Sequence, residues 1–295
     1  MGVSFVLLAT ACASPSGEAE PAELPEISEE FGIPPTFNWV DGDPPQDLVV
    51  EVLEEGEGST VEPGAMVVAD YEGHVWGEDS AFDSSFDNPQ YGHFPLDGVI
   101  QGWSDGIPGN RVGSRLLLSI PADQAYGEQG SGDGSIEAGD TLVFVVDLHA
   151  SYSEGETGGS AQAEPLDLPD GLGITVDGEL GEPFTISVAE DAKEPKSARA
   201  YPLSQTDGDV VSEGDTVLIS YMMTTWDNEL SEASWDQPVG PDGGPQFVPV
   251  NSESFFGELE GLPVGSRALL VAPAEGDDPA LALGVDLIAA KPGDS

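Results

Sequence analysis

The side chains that could do chemistry in this chain are mainly aromatic, and they lie in short motifs between residues 82 and 144. In chain order the motifs are Phe82-Asp-Ser-Ser85, Phe94-Pro-Leu96, Val99-Ile-Gln-Gly-Trp103, Val112-Gly-Ser-Arg115, Ala125-Tyr-Gly127 and Thr141-Leu-Val-Phe144. Side chains of these types can wall an apolar cavity that has one or two polar groups at its rim. A dry cavity favours whichever form of a bound group carries less separated charge.

Other kinds of catalytic site are not indicated. His74, His93 and His149 are far apart in the sequence, form no i, i+4 pair and have no thiol partner, so we expect no metal site. No glycine-rich phosphate loop and no Ser/His/Asp triad can be assembled from the sequence. We therefore expect no cofactor.

The charge of the chain excludes some partners. Its 295 residues include 56 acidic and 7 basic side chains, for a formal net charge of −49. Nucleic-acid binding depends on Lys and Arg side chains that neutralise phosphates, so we expect no nucleic-acid partner. Adsorption to an anionic membrane surface through charge is equally disfavoured. Because 39% of the residues are apolar, the chain can bury a core, and its length suits about two domains.

The single cysteine, Cys12, follows an uncharged apolar segment at residues 1–11. Ala9, Thr10 and Ala11 come directly before it, and small residues at this point resemble a bacterial lipobox, where cleavage leaves the cysteine as a lipidated N-terminus. The segment is too short to span a bilayer. We predict a lipoprotein signal at residues 1–12 and an extracytoplasmic protein that touches the membrane only through a lipid anchor. The alternative is an ordinary buried cysteine in an N-terminal strand.

Two features depart from the lipobox pattern. Ala9 stands where a larger aliphatic residue is usual, and no Lys or Arg precedes the apolar run. A start codon placed too far downstream would explain the second departure. Residues 13–33, which are rich in proline and glutamate, then predict a solvated acidic tether.

The rest of the chain is a repeat. Residues 61–71 match residues 211–221 at an offset of 150, Val112-Gly-Ser-Arg115 matches Val264-Gly-Ser-Arg267, and residues 142–148 match residues 281–287. A period of this length is a whole domain rather than a solenoid unit. We predict one domain at residues 34–150, a linker at 151–165 and a second domain at 166–291.

Each copy has the pattern of a mostly β domain. Residues 48–53, 66–71, 115–120 and 141–148 are apolar or β-branched runs between clusters of Gly, Pro and Asp. Ile100, Trp103 and Ile107 fall at i, i+3 and i+7, which predicts a short helix that ends before Pro108. The expected fold class is α+β, with an antiparallel sheet wrapped over a short α-helix in each copy.

The succession of six motifs resembles the FKBP-type peptidyl-prolyl cis–trans isomerases, over residues 47–149. The reaction of that family is rotation about an X–Pro bond, which breaks amide resonance against a barrier of about 18–20 kcal/mol. The twisted amide has less charge separation than the planar one, so a dry apolar pocket favours it. The reaction needs no nucleophile, metal or cofactor.

The resemblance implies catalytic roles for particular residues. Trp103 matches the tryptophan that forms the pocket floor, Asp83 the carboxylate that faces the rotating carbonyl, and Tyr126 the hydroxyl that holds the peptide. Val99 and Ile100 match the lip of the pocket, where the backbone N–H of the isoleucine binds a substrate carbonyl.

The resemblance also implies substrate-binding walls. The aromatic positions are matched by Tyr71, Phe82, Phe94 and Phe144, and Ile136 matches an apolar residue of the flap before the last strand. For Phe94 and Phe144 the alternative is a plain core role. The flap, residues 127–140, is rich in Gly and acidic residues, which predicts a loose grip on substrate.

The second copy keeps the frame of the first but changes its site. In register with the first copy, the positions of Phe82, Asp83, Val99, Ile100, Trp103 and Tyr126 are occupied by Ser231, Glu232, Asn251, Ser252, Phe255 and Asp278. Three residues remain that could still serve in such a site, namely Tyr221, Phe247 and Leu283. These polar substitutions would wet the cavity. We predict that the second copy is structural or peptide-binding, and essentially inactive.

By resemblance, the partners are proline-containing polypeptides, and macrolide ligands are plausible. The leading hypothesis is a prolyl isomerase that acts on exported proteins. The alternative is a non-catalytic FKBP-like lipoprotein that binds peptides as a chaperone, which the loosened flap and the altered second copy would favour.

Overall fold

A computed structural model of the chain describes residues 23–28, 30–153, 155–236 and 244–293. Cys12, its lipobox and the first part of the predicted tether lie outside the described residues. Within those residues, no helix is both long enough and apolar enough to cross a membrane.

The described part of the N-terminal half contains eight strands, one short α-helix and two 3₁₀ helices, which are Leu96–Gly98 and Ala122–Gln124. The strands are β1 (Glu26–Ile27), β2 (Phe37–Asn38), β3 (Val49–Glu54), β4 (Met66–Val75), β5 (Ala81–Ser84), β6 (Gly92–Pro95), β7 (Arg115–Ile120) and β8 (Leu142–Tyr152). Strands β1 and β2 form a hairpin, and the other six form an antiparallel sheet of order β3-β7-β8-β4-β5, in which β6 also pairs with β4. The predicted antiparallel β structure is confirmed.

Helix α1 (Gln101–Gly106) lies on one face of this sheet. Trp103 and Ile107, from α1 and its C-cap, share one buried cluster with Leu116 and Leu118 of β7. The helix approaches β7 closely, because a Cβ at Gly102 would lie 2.3 Å from the side chain of Ile120. The i, i+3, i+7 spacing therefore places its apolar face on the sheet, and Pro108 follows the helix end as expected.

The opposite face of the sheet is covered by the segment around β1 and β2. Leu24, Ile27 and Phe37 pack there against residues such as Leu117 and Val143. The prediction of a solvated tether at residues 13–33 is therefore wrong for its described part, residues 23–28 and 30–33. The physical reason is that apolar residues spaced among the glutamates, such as Leu24 and Ile27, are partly buried against the sheet.

A buried ion pair ties this segment to the sheet. Arg115 donates from Nε and Nη2 to the two carboxylate oxygens of Asp147, at 2.7 and 2.8 Å, and neither residue is exposed. Arg115 also donates to the carbonyl oxygens of Ser28 and Ile33, and the backbone N–H of Gly32 donates to Asp147. Hydrogen bonds to both charges offset the free energy of removing them from water.

The C-terminal half repeats this plan. Its strands are β9 (Glu164–Pro165), β10 (Ile174–Asp177), β11 (Thr185–Val188), β12 (Arg199–Pro202), β13 (Ser204–Gln205), β14 (Thr216–Thr225), β15 (Ser231–Ala233), β16 (Gln246–Pro249), β17 (Arg267–Ala272) and β18 (Leu281–Lys291). Six of them form a sheet of order β12-β17-β18-β14-β15, in which β16 pairs with β14. This is the strand order of the first sheet. The β10–β11 hairpin covers its outer face, where Arg267 binds Asp286 and the carbonyl oxygens of Glu179 and Glu182.

Two details differ from the sequence predictions. The predicted linker at 151–165 is partly ordered structure, because residues 151–152 extend β8, β9 pairs with β13, and buried Thr157 donates to Asp286. The second copy has a 3₁₀ helix at Phe255–Leu259 in place of the predicted α-helix. Asn251 accepts a hydrogen bond from the Glu253 N–H, and the Ser254 hydroxyl lies within hydrogen-bonding distance of two backbone carbonyl oxygens before the turn. Such local bonds compete with a helical ladder.

Candidate functional site

Trp103 lies at the centre of an aromatic cluster on the inner face of the first sheet. Its ring makes edge-to-face contacts with Tyr71, Phe94 and Phe144, with centroid distances of 5.6, 5.5 and 5.4 Å. Phe82 contacts Phe144 in the same way at 5.5 Å. Five rings from β4, β5, β6, α1 and β8 thus meet at one place, in the geometry that aromatic quadrupoles favour.

The burial of these rings is graded. Trp103 and Phe144 are 4% and 5% exposed, whereas Tyr71, Phe82 and Phe94 are only partly buried. The indole N–H of Trp103 is buried and has no hydrogen-bond acceptor among the described residues. The cluster therefore has a dry floor and a partly open wall, and the alternative core role fits Phe144 better than Phe94.

One polar pair lies at the rim. The hydroxyl of Tyr71 donates to Oδ2 of Asp83 at 2.6 Å, and Asp83 is exposed. Burial, and then the carboxylate of Asp83, raise the pKa of Tyr71 above its usual value, so the hydroxyl stays protonated as a donor. The free oxygen of Asp83 remains open toward solvent.

The lip residues pack on the same cluster. Val99 and Ile100 are partly buried against it, and Ile100 is the N-cap of α1. The carbonyl oxygen of Ile100 accepts from the backbone N–H groups of Trp103 and Ser104. No acceptor is recorded for its own N–H within the described part of the chain, so that N–H is available to a ligand.

The remaining predicted residues are placed less uniformly. Tyr126 is 42% exposed and makes no ring contact within the described residues, and it contributes slightly to the raised pKa of Tyr71. Ile136 of the flap is 3% exposed and belongs to the cluster core.

The flap is held by its own hydrogen bonds. Asp133 accepts hydrogen bonds from the hydroxyls of Ser131 and Ser135 at 2.6 and 2.8 Å. The backbone N–H of Ser131 donates to the carbonyl oxygen of Ile136, and the backbone N–H of Ile136 donates to the Ser131 hydroxyl. These hydrogen bonds lower the pKa of Asp133 to about 2. Serine and aspartate side chains thus close the turn that the glycines open. The loose grip of the flap on substrate stays a prediction.

The second copy retains only part of this arrangement. Tyr221 donates to Glu232 at 2.9 Å, which matches the pair at the first rim. Phe247, predicted from the sequence as a residue that could still serve in the site, does not take the place of Phe94. Val67 pairs with Phe94 and its counterpart Val217 pairs with Val248, so Val248 takes the inward position. A shift of one residue along a strand turns a side chain to the other face, and Phe247 lies outside the core of the second copy.

Ser85 is a site residue that sequence reasoning missed. Its hydroxyl accepts the N–H of Tyr71 at 2.9 Å and donates to Asp70 at 2.9 Å, directly behind the aromatic wall. The signal was present, because Ser85 ends the Phe82-Asp-Ser-Ser85 motif and Ser234 occupies the matching place beside Tyr221.

The arrangement suits binding rather than bond cleavage. In the part of the chain that the structure describes, no group of three His, Cys, Asp or Glu side chains could hold a metal ion. Five rings, an exposed carboxylate and a free backbone N–H can bind an apolar peptide segment and one of its carbonyl oxygens.

Comparisons with known proteins cover the same part of the chain. Residues 57–149 match the family model described as FKBP-type peptidyl-prolyl cis-trans isomerase. A probable FK506-binding protein of Corynebacterium glutamicum is 46% identical over 107 residues, which are 36% of this chain and 89% of the relative. The FK506-binding protein of Streptomyces anulatus is 39% identical over 118 residues, covering 39% of this chain and 95% of the relative.

One solved structure is also similar. The crystal structure of a peptidyl-prolyl cis-trans isomerase from Pseudomonas syringae pv. tomato matches 36% of this chain and 76% of that chain, with 32% sequence identity and a TM-score of 0.33.

Proposed function

Since the chain belongs to the FKBP-type peptidyl-prolyl cis–trans isomerase family, we propose that residues 34–150 accelerate rotation about X–Pro bonds in polypeptides. The proline ring would sit on Trp103, inside the wall of Tyr71, Phe82, Phe94 and Phe144. The observation that carries this proposal is the contact of three rings with a buried Trp103 floor, with Phe82 packed on one of them, Phe144.

The pocket would act on the amide by excluding water. Rotation passes through a twisted amide that has lost its resonance and part of its charge separation, against a barrier of about 18–20 kcal/mol. Water stabilises the planar, more polar amide. A surface of aromatic rings removes that advantage, so the barrier falls without any covalent step.

The polar groups at the rim would hold the substrate. The free N–H of Ile100 would bind a substrate carbonyl beside Val99, and Tyr126 would donate to another. Asp83 would face the rotating carbonyl, oriented by Tyr71. Ile136 would keep the flap against the bound chain. These groups position the peptide, and the apolar floor lowers the barrier.

A prolyl-isomerisation assay on the full chain tests the proposal. Wild-type protein at micromolar concentration should accelerate cis–trans exchange of a proline-containing tetrapeptide. Trp103→Ala should reduce the rate by more than about tenfold, and Tyr126→Phe should reduce it less. Phe255→Ala, at the matching position of the second copy, is the control and should leave the rate unchanged. No acceleration by the wild-type protein would contradict the proposal, and binding without acceleration would favour the non-catalytic alternative.

The ligands and location of the protein are part of the same proposal. Two relatives are named for binding FK506, so FK506 should inhibit the isomerisation by occupying the Trp103 pocket. Lipidation of Cys12 would hold the protein at the outer face of the cell membrane, where its clients would be exported polypeptides. A Cys12→Ser variant should then appear in the medium, and an unchanged membrane fraction would contradict the anchor.

A further inference from the structure

Lys291, the last residue of β18, places its charge beside the site strand of the first copy. Its Nζ donates to Oδ1 of Asp70 at 2.7 Å and to the carbonyl oxygen of Ser85 at 2.9 Å. Lys291 and Asp70 are 8% and 3% exposed, so the ion pair is buried. A buried pair of this kind is costly to break, because the partner that remains keeps an uncompensated charge.

The contact continues from Lys291 to the aromatic wall. Asp70 accepts from the Ser85 hydroxyl, which in turn accepts the backbone N–H of Tyr71 at 2.9 Å. The backbone N–H of Ser85 donates to the carbonyl oxygen of Tyr71, also at 2.9 Å. Tyr71 then donates its hydroxyl to Asp83. An unbroken series of hydrogen bonds thus joins the second copy to the rim of the pocket.

Neither copy carries this ion pair within itself. Asp70 corresponds to Ser220, since residues 61–71 repeat as 211–221. Met66 pairs with Tyr152, and its counterpart Thr216 pairs with Lys291, so Lys291 corresponds to Tyr152. The first copy therefore supplies the acidic residue, Asp70, and the second copy supplies the basic residue, Lys291. The two sequences have diverged in a complementary way at this contact.

Apolar residues surround the ion pair and seal the contact. The cluster comprises Met66, Val68, Tyr91 and Tyr152 of the first copy with Leu218, Ile288 and Ala289 of the second. Val68 and Leu218 are equivalent positions in the repeat, so the two copies contribute corresponding strand positions to the contact. The hydroxyl of Tyr91 adds a hydrogen bond to the carbonyl oxygen of Ala290 at 3.0 Å.

We propose that Lys291 is a positioning residue for the site of the first copy. Through Asp70 and Ser85 it fixes the β4–β5 segment that carries Tyr71 and Asp83. The second copy would then support the activity of the first instead of having one of its own. This inference rests on the proposed isomerase function, and its test separates the two.

The charges around Asp70 give the proposal a pH signature. His149 Nε2 lies 3.4 Å from Asp70 Oδ2, and the His149 ring stacks on Tyr91. Burial opposes ionisation of Asp70, but the hydrogen bond and charge of Lys291, together with the nearby His149 ring, outweigh it and lower the pKa of Asp70. Three further carboxylates lie nearby, because Asp147 is paired with Asp70 across β4 and β8, and Asp209 and Asp215 line the same cavity as Asp70 and Lys291. Negative charges near a carboxyl group oppose its ionisation. Without Lys291, Asp70 would take up a proton at higher pH.

The test uses the full chain and the isomerisation assay. Lys291→Met should lower kcat/KM roughly five- to tenfold and move the acid limb of the pH profile to higher pH. Lys291→Arg should restore most of the rate, because a guanidinium keeps the charge and the donors. Adding Asp70→Asn to Lys291→Met should abolish the shift in pH. Lys193→Met is the control, since Lys193 is exposed and forms no ion pair among the described residues.

Two results would overturn the proposal. One is a Lys291→Met protein that stays folded and keeps kcat/KM within twofold with an unchanged pH profile. The other comes from NMR, which needs no activity. The proposal fails if the amide shifts and hydrogen exchange of Tyr71 and Asp83 do not differ between Lys291→Met and Lys193→Met. If the wild-type protein shows no isomerisation, the proposed function fails while the NMR comparison still decides the positioning role. If Lys291→Met does not fold, the Lys291→Gln, Asp70→Asn pair, which leaves no charge unpaired, replaces it in the comparisons of kcat/KM and NMR, and the pH profile is then not a criterion.

Discussion

Tyr71 donates its hydroxyl proton to Asp83 across two neighbouring strands, at 2.6 Å. The same relationship recurs between Tyr221 and Glu232, where the pocket around it has changed. The pair is thus a feature of the repeated frame, and only in the first copy does it stand beside a tryptophan floor. Its role in the first copy can be tested against its twin in the second.

Tyr71→Phe should lower the isomerisation kcat/KM about three- to tenfold, because Asp83 loses the hydrogen bond that orients it. The aromatic wall itself is kept by the phenylalanine ring. Tyr221→Phe is the matched control and should leave kcat/KM unchanged. Equal losses in both variants would show that the effect comes from the frame and not from the site.

Arg115→Leu should destabilise the first copy by about 3–5 kcal/mol, because Asp147 would keep a buried charge without its partner. The carbonyl groups of Ser28 and Ile33 would lose their donor as well. Hydrogen exchange should therefore become faster in residues 26–38. Arg267→Leu should instead affect the hairpin at residues 174–188. Urea unfolding measures the loss of unfolding free energy in each variant. Faster exchange in the same hairpin for both variants would contradict the assignment of one hairpin to each arginine.

Local patterns in the sequence predicted much of the site. The spacing of Ile100, Trp103 and Ile107 predicted α1, and the structure places the last two in the core beside β7. The six motifs predicted the family because an aromatic pocket needs particular residue types in a fixed order. Patterns of this kind are readable because the residues that make them lie within a few turns or strands of one another.

Contacts between distant segments were not readable in the same way. The segment before Phe37 has the composition of a tether, and its burial depends on Arg115, about 80 residues later. The Lys291–Asp70 pair joins residues 221 positions apart, and no local pattern marks either one. The sequence shows that Phe247 is aromatic, but strand register decides which face a side chain occupies, and it places Val248 inward in the second copy.

His93 should make the stability of the first copy depend on pH. Burial lowers the pKa of His93 to about 4, and its Nε2 lies 2.7 Å from the Tyr152 hydroxyl. The unfolded chain has a histidine pKa near 6.5, so between about pH 6.5 and 4 it binds more protons than the folded chain. Stability therefore falls as the pH is lowered through this window, by about 3 kcal/mol for this residue.

His93→Gln removes this titration and should flatten the corresponding part of the stability curve. Urea unfolding gives the unfolding free energies of wild type and variant at pH 7 and at pH 4.5. Subtracting the variant's change with pH from that of the wild type cancels the contribution of the carboxylates, which both proteins share. The unfolding free energy of the wild type minus that of the variant should be larger at pH 7 than at pH 4.5. A difference that does not change with pH would contradict a buried neutral imidazole.

Asp133 should control how firmly the flap holds substrate. Asp133→Ala removes the acceptor of the Ser131 and Ser135 hydroxyls, so the turn that carries Ile136 should open. KM should rise about three- to tenfold with little change in kcat, because the flap binds ground and transition states alike. Since the pKa of Asp133 is held at about 2, the wild-type flap stays closed above roughly pH 3. Asp123→Ala, an exposed acid with no side-chain hydrogen bond in the described part of the chain, should leave both constants unchanged. A fall in kcat at constant KM would instead assign the flap to the rotation step itself.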